Sequence, residues 1–363
     1  MEKKVKMLLL AGEESGLIYA NLLRERFAGA EIRTYQDFFS TSDLAVMGFI
    51  PVLKRIFFFL KVKKTMMRLV REWRPDAVVT IDYPGLNLKI AAYAKSLGIP
   101  AVHIVCPQVW AWHSDRIPKI AASLTKLLCF FPFEPALYDG TGLDVKFIGH
   151  PLVDTFGVER KTVPGDGRTV ALLPGSRAGE IKRILPRLLE TAKILSSDPT
   201  LKFVVPAASP KARRQIDAIV SENAVASVTV VDGGARELLA KADVAAVASG
   251  TATLEAALAK CPTVLVYAVS PFLAWFARRV IKGVRHIGLA NIIAEKTNLV
   301  PPMPEMLQED FVPSAVASKL RSWLDDADAR KEIVDALEKV TDSLRGDGGA
   351  VNRAVIEIKE ALE

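Results

Sequence analysis

Apolar runs of four to seven residues recur along the chain, and between them apolar residues return every three or four positions. The first pattern suits strands buried on both faces, and the second suits helices that cover them. In order, strands are expected at Lys6–Leu10, Ala77–Ile81, Ala101–Val105, Leu127–Phe131 and Val145–Ile148, with helices at Gly16–Phe27 and Leu86–Ser96. A second series places strands at Thr169–Leu173, Lys202–Val205, Val228–Val231, Asp243–Val247 and Thr263–Val266. Its helices fall at about Ala178–Ser196, Lys211–Glu222, Ala235–Lys241 and Thr251–Lys260. This alternation predicts an α/β protein of two Rossmann-like, doubly wound domains facing a cleft, with ligands beyond the carboxyl ends of the strands. The alternation breaks across residues 156–168, which are polar, rich in Gly and Pro, and without a period. The expected domains are therefore 1–163 and 164–344. From about Pro313 the pattern is wholly helical, and the last helix, 345–363, is expected to pack back on the first domain.

Composition narrows the class. Of 363 residues, 50% are apolar and 25% charged, which excludes a disordered chain, and 22 Gly with 21 Pro exclude a coiled coil. Cys106, Cys129 and Cys261 show no C-x-x-C spacing, so a reducing, cytoplasmic compartment is expected. The basic start, Met1-Glu-Lys-Lys-Val-Lys, has only Met7 to Leu10 behind it, too short for a signal peptide. No uncharged apolar run is long enough to span a bilayer.

The net charge of +7 points to an anionic partner. Eight basic residues (Lys54, Arg55, Lys61, Lys63, Lys64, Arg68, Arg71, Arg74) fall between Gly48 and Pro75 against one acid, Glu72. Apolar residues interleave at helical spacing from Phe49 to Trp73. A core helix pair with a cationic outer face would explain most of this. Phe57, Phe58, Phe59 and Leu60, however, are consecutive and wrap beyond one face. Surplus apolar area beside Lys61, Lys63 and Lys64 predicts a helix lying on an anionic membrane surface.

Two loops of the second half share a design. Thr169–Leu173 leads into Pro174, Gly175, Ser176 and Arg177, and Asp243–Val247 leads into Ala248, Ser249, Gly250 and Thr251. Each sets a glycine and small hydroxyl residues at a helix start, where unpaired N–H groups suit a phosphate. Arg177 adds a cation able to grip two phosphate oxygens. Either loop alone reads more readily as an ordinary N-capped helix, and it is the pair of loops on one sheet that brings the phosphate reading level with it. Glu255, one turn into an apolar helix, suits ribose hydroxyls or simply the helix dipole. In the first half, Asp82 ends an apolar strand and is placed as a general base or as a helix cap. The loop Ala11-Gly-Glu-Glu-Ser-Gly16 carries acids, which favours hydroxyl groups over phosphate. His103, His113, His150 and His286 show no paired ligand spacing, and no metal site is expected. Asp326-Ala-Asp328 reads as a solvated helical face. A P-loop and Gly-x-Ser-x-Gly are both absent.

Taken together, several segments resemble the lipid-A-disaccharide synthase family. They are Ala11–Gly16, Leu44–Gly48, Ile81–Pro84 with Asn87, Pro107–Trp112, Phe147–Pro151, Leu173–Arg177 with Glu180, Ala248–Glu255, and Asn291. Their order and spacing cover most of the chain. The resemblance implies an inverting, metal-independent glycosyltransferase of the GT-B type, with no cofactor and no nucleic-acid partner. It implies transfer of 2,3-diacylglucosamine from a UDP donor to 2,3-diacylglucosamine 1-phosphate, on the cytoplasmic face of the membrane, and it is compatible with a homodimer. Asp82 is then the base. Pro174, Gly175, Ser176, Arg177, Glu180, Ser249, Gly250, Thr251, Glu255 and Asn291 take the donor. Glu13, Ser15, Gly16, Met47, Asn87, Gln108 and Trp110 face the acceptor. In the first half Gly16 is followed by Leu17, and no Gly-Gly-Pro-x-Met loop follows Tyr35. Two alternatives therefore stay open: a relative that binds UDP-sugar or lipid without this reaction, and a UDP-sugar transferase or epimerase with another acceptor.

Overall fold

A computed structural model describes residues 4–44, 56–157, 168–223, 228–270, 274–275, 279 and 283–363. The chain forms two compact units, one of residues 1–154 with Leu344–Glu363, the other of Thr155–Ser343.

The first unit is built on β1 (Lys6–Ala11), β2 (Glu31–Arg33), β3 (Ala77–Ile81), β4 (Ala101–Ile104), β5 (Lys126–Cys129) and β6 (Asp144–Phe147). All pair in parallel, in the order β2-β1-β3-β4-β5-β6. Continuous apolar runs are needed in the central strands because each of them feeds two cores. Leu8 and Leu10 of β1 join Val62, Met66 and Ile90 on one face, while Met7 and Leu9 join Leu23, Ala354 and Ile358 on the other. The order reverses beside β1, so the ends of β1 and β3 form a topological switch point, where such sheets hold ligands. Gly12 and Asp82 follow those ends.

The second unit has β7 (Arg168–Leu173), β8 (Leu201–Ala207), β9 (Val228–Asp232), β10 (Val244–Ala248), β11 (Thr263–Tyr267) and β12 (Glu305–Leu307). These are also parallel, in the order β12-β11-β10-β7-β8-β9. Here the switch point lies between β7 and β10, whose ends carry the two loops singled out from the sequence.

The division after Asp154 corrects the expected boundary at residue 163. Thr155 and Phe156 belong to the second unit because Arg236 claims both: its Nη1 donates to the Thr155 carbonyl at 3.1 Å, and its guanidinium lies 5.2 Å from the Phe156 ring. The last helix, Ala350–Leu362, packs on the first unit. The Tyr19 hydroxyl donates to the Ala350 carbonyl at 3.0 Å. Buried Lys126 donates to Glu357 at 2.5 Å and to Glu360 at 2.8 Å.

Candidate functional site

In the second unit, three helix-opening segments line one cavity of about 380 Å³: Pro174–Arg177, Gly233–Ala235 and Ser249–Ala252, with Glu180 and Glu255. Nine of the ten residues expected at the donor line it; Asn291 does not. Gly175 adopts φ +94°, a conformation that side chains rarely adopt, so glycine is favoured in this tight turn. Arg177 stands at the N-cap position of the helix Ala178–Leu195 without capping it by its side chain; its Nη1 donates to Glu180 Oε1 at 3.0 Å, yet its side chain is 71% exposed. Helices Ala235–Lys241 and Thr251–Leu258 begin at Gly234 and Gly250, which offer no side-chain cap. Their first N–H groups are therefore available to an anion. The Gly233-Gly234 pair escaped the sequence reading, although a strand ending in glycines before a helix is the same signal that marked the other two loops. Glu255 is half-buried, and burial raises its pKa, opposed by Arg236, whose Nη2 lies 3.6 Å away.

Asn291 is a correction. It is fully buried, and its amide is spent on the 303–305 segment: Nδ2 donates to the Met303 carbonyl at 2.6 Å and to Glu305 Oε1 at 2.8 Å, while Oδ1 accepts from Met303 N at 2.9 Å.

In the first unit, a cavity of about 290 Å³ is lined by Asp82, Gln108, Trp112, Arg116, Phe131 and His150 among others. A second, mainly apolar cavity of about 400 Å³ lies beside the Ile56–Trp73 helix, with Glu13, Phe59, Leu60, Lys63, Tyr83 and Lys89 in its wall. Pro84 lines both. Asp82 and Tyr83 adopt φ +49° and +52°, consecutive left-handed conformations in residues that are not glycine. Such positions cost roughly 1–3 kcal/mol each and persist only where surroundings enforce them. Glu13 titrates above the usual carboxylate range because of burial first and repulsion by Asp82 second.

Other acceptor-side expectations resolve differently. Gln108 is exposed in the cavity wall. Trp110 sits behind that wall and is only 8% exposed, its Nε1 donating to Glu134 Oε1 at 3.1 Å. The exposed indole in the cavity is Trp112. Asn87 is fully buried and faces backbone carbonyls, a second correction. Gly16 is buried against Ala11 and Ile81 in the first turn of the helix Glu14–Arg26, which also contains Ser15. Met47 lies outside the described residues.

Glu134, unmarked in the sequence, gathers with Cys106 and Cys129 at ligand-like spacing, all three buried. Its oxygens accept from Trp110 Nε1 and from Phe131 N at 3.1 Å, and burial pushes its pKa up to about 8. A carboxyl engaged in this way, and protonated at neutral pH, works as a hydrogen-bonding hub for the cavity wall.

The Ile56–Trp73 helix turns Val62, Met66 and Val70 into the core. Phe58 and Phe59 pack there as well, with Phe58 edge-on to Phe39 at 5.7 Å and Phe59 5.5 Å from Phe58. Of the four consecutive apolar residues only Phe57 (83% exposed) and Leu60 (48%) are offered to solvent, joined by Ile56, and exposed Lys61 and Lys64 lie beside them. Lys63 is half-buried in the wall of the apolar cavity. Among the described residues, no helix is long and apolar enough to cross a membrane.

Residues 8–356 match the family model described as lipid-A-disaccharide synthetase. The chain is 36% identical over 367 residues to lipid-A-disaccharide synthase from Aromatoleum aromaticum, covering 94% of this chain and 93% of that protein. Among solved structures it is similar to UDP-GlcNAc 2-epimerase from Neisseria meningitidis bound to UDP-GlcNAc (TM-score 0.61, 11% identity, 99% of each chain). It is also similar to MurG from Acinetobacter baumannii (TM-score 0.60, 14% identity, 99% of this chain and 100% of that one). At such identities the structural likeness speaks for the fold, two Rossmann-like units of the GT-B type.

Proposed function

The chain belongs to the lipid-A-disaccharide synthetase family, and from that premise we propose how its residues carry out the glycosyl transfer that makes the lipid A disaccharide. The cavity of the second unit takes the UDP of the donor. Its diphosphate lies against the N–H groups that open the helices at Ala178, Ala235 and Thr251, and Arg177 turns from Glu180 to the phosphate oxygens. Glu255 holds the ribose hydroxyls. The observation that carries this reading is the convergence of three helix starts, two of them opened by glycine, and an exposed arginine paired with Glu180 on a single cavity.

The acceptor, 2,3-diacylglucosamine 1-phosphate, enters beside Asp82. Its primary hydroxyl oxygen attacks the anomeric carbon of the donor, and the bond from that carbon to the UDP oxygen breaks. The hydroxyl proton passes to the Asp82 carboxylate, and UDP leaves with the bonding electrons, its charge met by Arg177 and the helix N-termini. Attack from the face opposite UDP inverts the anomeric centre. The apolar cavity between Leu60 and Tyr83 suits an acyl chain, and the exposed Ile56, Phe57 and Leu60 with Lys61 and Lys64 suit contact with an anionic membrane surface on the cytoplasmic side.

The test is incubation with UDP-2,3-diacylglucosamine and the lipid acceptor, following disaccharide and UDP together. Release of UDP without disaccharide, or no turnover despite UDP binding, would refute this acceptor assignment.

A further inference from the structure

Asn87 and Tyr35 are both fully buried, so neither can touch a substrate. What they touch is the turn that presents Asp82. Asn87 Nδ2 donates to the Asp82 carbonyl at 2.7 Å and to the Ile81 carbonyl at 3.1 Å, with the Leu10 carbonyl at 3.4 Å. One amide thus ties the ends of β1 and β3 to the start of the next helix, Pro84–Ser96. The other end of the amide is fixed in turn: the Tyr35 hydroxyl donates to Asn87 Oδ1 at 2.7 Å. Tyr35 comes from a short 3₁₀ turn after β2, so the brace spans three parts of the chain.

The turn it holds is one the backbone would not keep unaided. Asp82 and Tyr83 are left-handed in succession, without a glycine, and Pro84 follows. Tyr83 is pinned from its other side. Its ring lies so close to Gly12 that a Cβ there would sit 2.9 Å from Cδ1, and its hydroxyl donates to the Leu44 carbonyl at 3.3 Å. With Tyr83 clamped and the Asp82 carbonyl tethered, the backbone that carries Asp82 is held from both sides, and its side chain lines the cavity together with Gln108 and Arg116.

We infer that Tyr35 and Asn87 are positioning residues that set the aim of Asp82. This rests on the reading of Asp82 as the general base. Removing the Tyr35 hydroxyl leaves Asn87 Oδ1 buried without its donor and frees the amide to rotate away from the two carbonyls. The carboxylate then samples directions other than the one that meets the acceptor hydroxyl, and misplacing a reacting group by about 1 Å is enough to lower turnover up to about 100-fold.

The experiment is a double-mutant cycle on disaccharide formation with the full chain. Tyr35→Phe should lower kcat about tenfold, leaving UDP affinity and acceptor KM within about twofold and the melting transition cooperative. In the Asp82→Asn background the same substitution should change the residual rate less than about twofold, because a residue acting through Asp82 has nothing left to aim. Asn87→Ser should repeat the pattern, and it decides the question should Tyr35→Phe fail to fold. Wild-type turnover in Tyr35→Phe, or an equal tenfold loss with and without Asp82, would overturn the brace. If Asp82→Asn itself keeps the wild-type rate, the general-base reading fails instead, and the brace with it.

Discussion

Replacing Glu134 by Gln should exchange one kind of stability for another across the pH range. Glu134 lies 1% exposed, and its partners are an indole N–H, a peptide N–H and the Cys106 thiol, none of them charged. Burial without a cation raises its pKa from 4.5 to about 8. The folded protein therefore binds this proton more tightly than the unfolded chain. The stability it contributes is complete below about pH 4.5 and declines as pH rises through about 8. At about 1.4 kcal/mol for each pH unit between the two values, the loss by pH 9 is on the order of a few kcal/mol. Gln cannot ionise, so the variant lacks this slope. It also has a single acceptor oxygen where the carboxyl offers two, so either Trp110 Nε1 or Phe131 N would face an amide N–H. That mismatch costs about 1–3 kcal/mol at every pH. The wild type loses that same amount between about pH 5 and 7, so the variant should be no more stable than wild type at about pH 5 and clearly more stable at about pH 9. Urea unfolding midpoints of both proteins at pH 5, 7 and 9 measure this. The contributions of His103 and His150, which burial holds at about 3 and about 4, cancel in the difference. Parallel curves for the two proteins would mean that Glu134 is ionised in the fold and that the hub reading is wrong.

Three further outcomes follow from the same geometry. In calorimetric titration, Glu255→Gln should weaken UDP binding by roughly 1–2 kcal/mol and Arg177→Ala by more; unchanged affinity in both would remove the donor site. Phe57→Ser with Leu60→Ser should release the protein from anionic vesicles at low salt, whereas Phe58→Ser and Phe59→Ser should instead lower the melting temperature, since those rings belong to the core. No co-sedimentation of the wild type at low salt would eliminate the membrane face. Gly149→Ala should destabilise the first unit by at least roughly 1–3 kcal/mol, because position 149 has φ +88° and its Cβ would meet the Gly346 N at 2.6 Å. A melting temperature within a degree of wild type would contradict that close approach.

The sheet centres were legible because parallel strands with helices on both sides must be apolar throughout. β3 is expected and found at Ala77–Ile81, and every one of its residues is buried. The edges were not. β2 and β12 span three residues each, none fully buried, and their pairing is decided by the neighbouring strand rather than by any pattern of their own. The membrane-facing reading of Phe57–Leu60 failed in part for a related reason. Four consecutive apolar side chains on a helix exceed one face only when a single partner surface is assumed, whereas Phe39 and Tyr83 supply a second surface that takes Phe58 and Phe59.

The candidate site divides along the same line. Loops were readable where chemistry needs backbone, since glycines and small hydroxyl residues at strand ends announce open N–H groups whatever surrounds them. Amide side chains were not, because Asn carries no sign of whether it faces ligand or protein. Asn87 and Asn291 were both assigned to substrates, and both are buried in the service of other residues that line cavities. Asn87 acts on the backbone of Asp82. Asn291 holds Glu305, which accepts from Ile287 N at 3.0 Å, and the Ile287 carbonyl accepts from the Ser249 hydroxyl at 3.2 Å in the donor cavity. Each unit therefore places a buried amide behind its cavity, directly behind Asp82 in the first and at the far end of a Glu305–Ile287 chain from Ser249 in the second, and a family motif is as able to record that support as to record contact. A polar residue at a helix start near a switch point is best read first as a tether for strained or exposed backbone, and as a ligand contact only when its own donors and acceptors are left over.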